Sequence, residues 1–253
     1  MKILITGVAG LLGSRLADWI LENTDNEVIG VDDLSGGYIE NVNSKVKFYK
    51  FDLVDLNEVE GVFKKEKPDI VYHFAAYAAE GLSPFIRKYN YENNLIASAN
   101  LITKSIDYDV KRFVFASSMS VYGNKYEPPF SEDINPTIFG DGTQTRAFSY
   151  VDDSIVPLWN ASQNDKCIGE IINLGGIKDY TINEACNILC DVTGTSLKPE
   201  YLEARHEVKY AWSTWDKSVE LLDFKHKVSL EEGLTKMWEW AHTQPNRKRF
   251  FWS

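Results

Sequence analysis

Over the first 118 residues, short β-branched runs alternate with amphipathic stretches. KILIT predicts a buried strand, followed at once by a glycine-rich turn. Leu12, Leu16, Trp19 and Ile20 then fall at i, i+4, i+7 and i+8, one face of a helix. EVIGV and VKFYKF predict the second and third strands. Asp55, with Glu58 three residues on, has the capping-box spacing that starts a helix. KPDIVYHFAA predicts a turn and a fourth strand. Ser83 and Pro84 open a long helix over 84–107, with an apolar stripe of Leu95, Ala99, Ile102 and Ile106. KRFVFASS predicts the fifth strand. Strands separated by helices pair in parallel through right-handed crossovers, so the pattern defines an α/β fold with a doubly wound parallel sheet.

Beyond residue 150 the texture changes. GEIINLGG predicts one further sheet strand near 170–174. Thr181 with Glu184 and Ser229 with Glu232 give two more capping boxes. The stripes Ala185, Ile188, Leu189, Val192 and Leu234, Met237, Trp238, Ala241 follow them. We expect a first domain over 1–136 and a smaller, helix-rich C-terminal lobe over 137–253.

Composition narrows the partners. The 253 residues are 44% apolar and 13% aromatic, with a formal net charge of −10. Phosphate-backbone binding needs a clustered basic face, and Lys and Arg are scattered here, so no nucleic acid is expected. The basic-aromatic tail RKRFFWS reads as a solvated end. Cys186 and Cys190 lie one helical turn apart, and no CxxC or Cys/His ligand spacing occurs, which argues against a metal site. No run has signal-peptide or membrane-spanning length, so a soluble, cytoplasmic protein is expected.

The candidate chemistry begins in TGVAGLLG. Gly7, Gly10 and Gly13 stand between the first strand and the first helix. A turn that tight needs residues without a Cβ, Gly10 lets the backbone approach a pyrophosphate, and the helix N-terminus supplies amide donors. The second strand ends in Val31-Asp32-Asp33. A carboxylate there accepts hydrogen bonds from the two ribose hydroxyls of an adenosine and repels a 2′-phosphate. No arginine follows to receive one, so NAD is favoured over NADP. Alone, the two acids could equally be a solvated turn; the upstream glycines make dinucleotide binding the better reading.

Further motifs occur in a fixed order: Asp52-Leu53 after the third strand, HFAA at 73–76, Asn93 in YENN, SSMSVYG at 117–123, GDGTQTR with FSYVDD, INLGG, ARHEV and KVSLEEGL. Together with TGVAGLLG and Asp32, this series resembles the extended short-chain dehydrogenase/reductase superfamily. Within it the likeness is to the NAD-dependent nucleotide-sugar epimerase/dehydratase group of the UDP-glucose 4-epimerase type. The resemblance covers nearly the whole chain and implies a Rossmann domain followed by a substrate lobe. It implies that Gly7, Gly10, Leu11 and Leu12 line the pyrophosphate, with Gly13 in the same turn, and that Asp32 holds the adenosine ribose. Asp52 and Leu53 would meet the adenine, and Phe74, Ala75 and Ala76 would pass under the cofactor with Asn93 nearby. Ser118 would be the catalytic-site serine. Arg146, Arg205 and Glu207 would grip the nucleotide of a UDP-hexose, a task suited to guanidinium forks. His73 reads as a structural residue at a strand end.

One part of that family's pattern is missing. The group places its general base on a helix after SSxxVYG, as a tyrosine followed four residues later by a lysine. None of the thirteen tyrosines here has lysine at that position. The resemblance puts the Tyr–Lys helix, a strand and a substrate loop between Pro136 and Thr137, a crossover unit of roughly 30 residues or more. The expected consequence is an internal deletion that impairs proton transfer, with Tyr122 and Glu80 the nearest substitutes by motif position. It would also uncover part of the Leu95–Ile106 stripe, which makes a homo-oligomer through the 84–107 helix face a candidate arrangement. Three readings share the fold and NAD: an epimerase/dehydratase (an isomerase-class enzyme) with weak turnover, a non-catalytic NAD and nucleotide-sugar binding protein, and a shortened form of an active parent.

Overall fold

A computed structural model describes residues 1–78, 83, 85–118, 144–194 and 210–243. Five strands, β1 (Lys2–Thr6), β2 (Glu27–Asp32), β3 (Lys47–Lys50), β4 (Ile70–His73) and β5 (Arg112–Phe115), form one parallel sheet in the order β3-β2-β1-β4-β5. The central strands are apolar on both faces because both are covered, as crossover connections require. Ile3, Ile5, Val28, Ile70 and Tyr72 face Leu16 and Ile20 of α1 (Leu11–Asn23) and Ile155 of α5 (Val151–Gln163). Leu4, Ile29, Val31 and Val71 face Val59, Val62 and Phe63 of α2 (Leu56–Glu66) and Leu101 of α4 (Ala97–Asp107). Helix α5 falls in the range expected for the second lobe, yet it packs on the first sheet. There the Tyr72 hydroxyl donates to Ser162 Oγ at 2.6 Å, and burial raises the phenol pKa.

The long helix starts at Arg87, as α3 (Arg87–Asn90), and runs through a π-helical segment, Tyr91–Ile96, into α4. Its buried face carries Ala97, Ser98, Leu101 and Ser105. The stripe read from the sequence points outward: Leu95 is 57% exposed, Ile102 45% and Ile106 73%. The helix is therefore apolar on a face the sheet does not cover.

The expected strand near 170–174 is a correction: residues 170–176 carry no strand pairing. A short apolar run becomes a strand only beside a hydrogen-bonded neighbour. β5 is the last strand in its sheet order, and none of the described strands pairs with its outer edge. A second, three-stranded sheet, β7-β6-β8, comprises β6 (Thr145–Ala147), β7 (Asp179–Thr181) and β8 (Tyr210–Ala211). Around it lie α6 (Ile182–Thr193), α7 (Asp216–Leu222) and α8 (Leu230–Thr243). The Thr181 capping box forms as expected, with Glu184 N donating to Thr181 Oγ1 and Thr181 N donating to Glu184. Cys167, Cys186 and Cys190 form no disulfide. No helix among the described residues is long and apolar enough to cross a membrane.

Candidate functional site: a dinucleotide cleft

The register levels the C-terminal ends of the central strands: Thr6 pairs with Val31 and His73, and His73 pairs with Phe115. The chain leaves β1 outward to β2 and β3, then crosses to β4 on the other side. This is a topological switch point, where open α/β sheets hold ligands. A cleft of about 230 Å³ lies there. Gly7, Gly10, Asp32, Asp52, Leu53, Phe74, Ala75, Ala76 and Asn93 all line it.

The glycines divide the work. Gly7 has φ +71°, and a Cβ there would lie 2.8 Å from Ala75 N. Gly10 is the N-cap of α1, offers no side-chain cap, and leaves the first-turn amides facing the cleft end of the helix. No acidic residue occupies that turn, so the positive end of the helix dipole is left for an anion. Gly13 does not line the cleft; a Cβ on it would sit 2.2 Å from Gly7 O, so its role is close helix–turn packing. Leu11 and Leu12 are likewise absent from the lining, and Leu11 is exposed on the first turn of α1.

Asp32 is buried at the rim. Its carboxylate accepts from Ala9 N at 3.0 Å and Leu34 N at 2.8 Å. Leu34 is held at φ +65°, a costly conformation for a side chain of its size. That turn delivers Ser35, Gly36 and Gly37 to the lining, which the sequence reading missed. The carboxylate, the unobstructed backbone and the acid-free helix end fit an adenine dinucleotide.

His73 has a structural part. Ser98 Oγ donates to Asn94 O at 2.6 Å, which leaves Ser98 to accept from His73 Nε2 at 2.8 Å. His73 Nδ1 then accepts from Thr6 Oγ1 at 2.7 Å. Burial lowers the imidazole pKa to about 4. Since the folded value lies below the ordinary ~6.5, the unfolded chain binds the extra proton between those pH values. Stability should fall by about 3 kcal/mol as pH drops from 6.5 to 4. Urea unfolding across that range should show this slope in the parent chain and a flatter one in His73→Gln.

Asn94, also missed from sequence, clamps the loop after β4: its Oδ1 accepts from Tyr77 N at 2.7 Å and its Nδ2 donates to Tyr77 O at 3.0 Å. Ser118 lies exposed three residues past the end of β5, on the same edge of the sheet as the cleft but outside its lining. Arg146 is half-buried in β6, where its Nη1 donates to Thr145 O. Tyr122, Glu80, Arg205, Glu207 and the Pro136–Thr137 junction lie outside the described residues.

Fold and cleft together define a dinucleotide-binding Rossmann protein. Residues 3–137 match the NAD dependent epimerase/dehydratase family, and the chain belongs to that family. Its cofactor is NAD. UDP-glucuronate 4-epimerase of Thermodesulfobacterium geofontis is 27% identical, over 94% of this chain and 95% of its own. Among solved structures, UDP-glucose 4-epimerase of Thermotoga maritima with UDP-glucose superposes with a TM-score of 0.89 at 28% identity, covering 96% of this chain and 99% of that one. UDP-glucuronic acid 4-epimerase of Bacillus cereus, in complex with UDP-glucuronic acid and NAD, gives 0.84 at 26% identity over 96% and 99%.

Proposed function

We propose that the protein acts on a UDP-hexose in the manner of a 4-epimerase, with turnover limited by the absence of a Tyr–Lys base. The observation that carries this is the cleft at the switch point, bounded by Gly7, Gly10 and Asp32, in a chain whose relatives are UDP-sugar 4-epimerases. Bound NAD would supply the hydride-accepting and hydride-returning chemistry at a sugar carbon. The chain's own residues then hold the cofactor at Asp32 and the helix α1 terminus. Ser118 orients the reacting sugar oxygen from the end of β5, and Arg146, Arg205 and Glu207 hold the nucleotide.

The internal deletion is part of the same proposal. The alignment with the T. geofontis enzyme runs over 318 positions, of which this chain fills about 238 (0.94 of 253 residues), leaving about 80 without a counterpart. The family match ends at residue 137, beside the Pro136–Thr137 junction. Incubation with NAD and UDP-glucose, followed by chromatography for UDP-galactose, tests the reading. Slow conversion is expected; tight NAD binding with no conversion of UDP-glucose or UDP-glucuronate would leave only a binding protein.

We place the protein in the cytoplasm and assign it a homodimer through the 84–107 face. An antiparallel pairing centred near Ala99 sets Tyr91 of one copy against Ile106 of the other and Leu95 against Ile102. Each of these four side chains is exposed in the single chain, and the small Ala99 at the crossing permits close approach. Beside Ile106 lies a hollow of about 330 Å³, lined by Ile102, Ser105, Asp109, Val110 and Phe113, with room for a partner's side chain. Light scattering should give twice the chain mass, and Ile102→Asp should give a monomer. A monomeric parent chain would rule the arrangement out.

A further inference from the structure

We propose that Tyr77 and Tyr89 form an aromatic wall against which the adenine of the bound dinucleotide packs; the inference rests on the NAD reading above. Both tyrosines line the same cavity as Asp32, Phe51, Asp52 and Leu53. Their rings meet edge to face, with centroids 5.0 Å apart and an interplanar angle of 88°. In that arrangement one ring points its edge at the other and leaves the second ring's far face available to a third π-system.

The wall is held from behind. Asn94 fixes both backbone polar groups of Tyr77, and Asn94 O is itself tied through Ser98 to the buried His73. Tyr89 stands on α3 just before the π-helical turn, where Asn93 Nδ2 donates back to Tyr89 O at 2.9 Å. Such widened turns occur often at functional sites, because the extra residue re-aims the side chains around it. Tyr77 directly follows the Phe74-Ala75-Ala76 segment that floors the cleft.

The adenine half is indicated by what faces the wall. Asn100 Nδ2 donates to Leu53 O at 2.9 Å and to Val54 O at 3.1 Å, tying α4 to the loop after β3. The helical run that carries Tyr89, Asn93 and Ala97 is thus docked beside Asp52 and Leu53, next to the rim where Asp32 marks the ribose. An aromatic face suits a purine there because stacking needs no matched hydrogen-bond pattern.

Calorimetric titration of the full chain with NAD, ADP-ribose and nicotinamide mononucleotide tests the wall. In Tyr89→Ala, Kd for NAD and for ADP-ribose should rise together by on the order of 10-fold, and Tyr89→Phe should restore both. Tyr77→Ala should do the same, with its melting temperature recorded; Tyr89, 39% exposed, is the safer site should that variant fold poorly. Unchanged ADP-ribose affinity in a folded Tyr89→Ala, or a loss confined to NAD, overturns the wall while leaving the cofactor reading in place. A parent chain that binds neither NAD nor ADP-ribose removes both.

Discussion

Insertion between Pro136 and Thr137 of the helix–strand segment carrying Tyr-x-x-x-Lys from a UDP-sugar epimerase should raise UDP-glucose turnover by about 10²–10⁴-fold. A phenol with a free pKa near ~10 serves as a base at neutral pH only when a cation stabilises its phenolate. None of the thirteen tyrosines is followed at the fourth position by lysine. Ser118 remains at the end of β5, but a lone hydroxyl orients a substrate oxygen without taking its proton at pH 7. NAD affinity should barely change on insertion, because among the described residues the cleft lining falls within 7–97. The same insert with its tyrosine changed to phenylalanine should leave turnover at the parent rate. Equal turnover in the parent and inserted chains would mean that another group in this sequence already handles the proton.

Gly13→Ala should destabilise the fold by on the order of 2–3 kcal/mol and weaken NAD binding at least about tenfold. Helix propensity alone predicts the opposite, since alanine stabilises a helix interior by about 1 kcal/mol over glycine. The geometry overrides it. The added Cβ would lie 2.2 Å from Gly7 O and 2.8 Å from Val8 Cα, both backbone atoms that cannot rotate away. Relief requires moving the turn that carries Gly7 and Gly10, and hence the pyrophosphate seat. Urea unfolding and NAD titration of the variant check both parts. A more stable Gly13→Ala with normal affinity would show that the turn is not packed as described.

The five parallel strands and the helices α1 and α2 were legible because each is fixed by a local pattern of alternation, periodicity or capping. Gly7, Gly10 and Asp32, which line the cleft, could be picked out because a glycine turn and an acid at a strand end are tied to sequence position. Periodicity could not say which face of the 84–107 helix meets the core. Its outward stripe, Leu95–Ile106, is the more apolar one, while the buried face uses Ala97, Ser98 and Ser105 with Leu101. The 170–174 strand failed for a related reason: a short apolar run records a capacity to pair and not the presence of a neighbour. Asn94, Tyr77 and Tyr89 went unread because their roles come from contacts between segments 12–17 residues apart, brought together by the helix docking on the sheet.

Asp32 sits among backbone amides beside an acid-free helix terminus, where the adenosine of NAD is expected to bind. The direct measurement is calorimetric titration of NAD into the parent chain and into Asp32→Ala, with melting curves at rising NAD. Saturable one-site binding, a melting temperature that climbs with ligand, and a loss of at least about tenfold in the variant are expected. No heat of binding and no thermal shift in the parent chain would contradict the account.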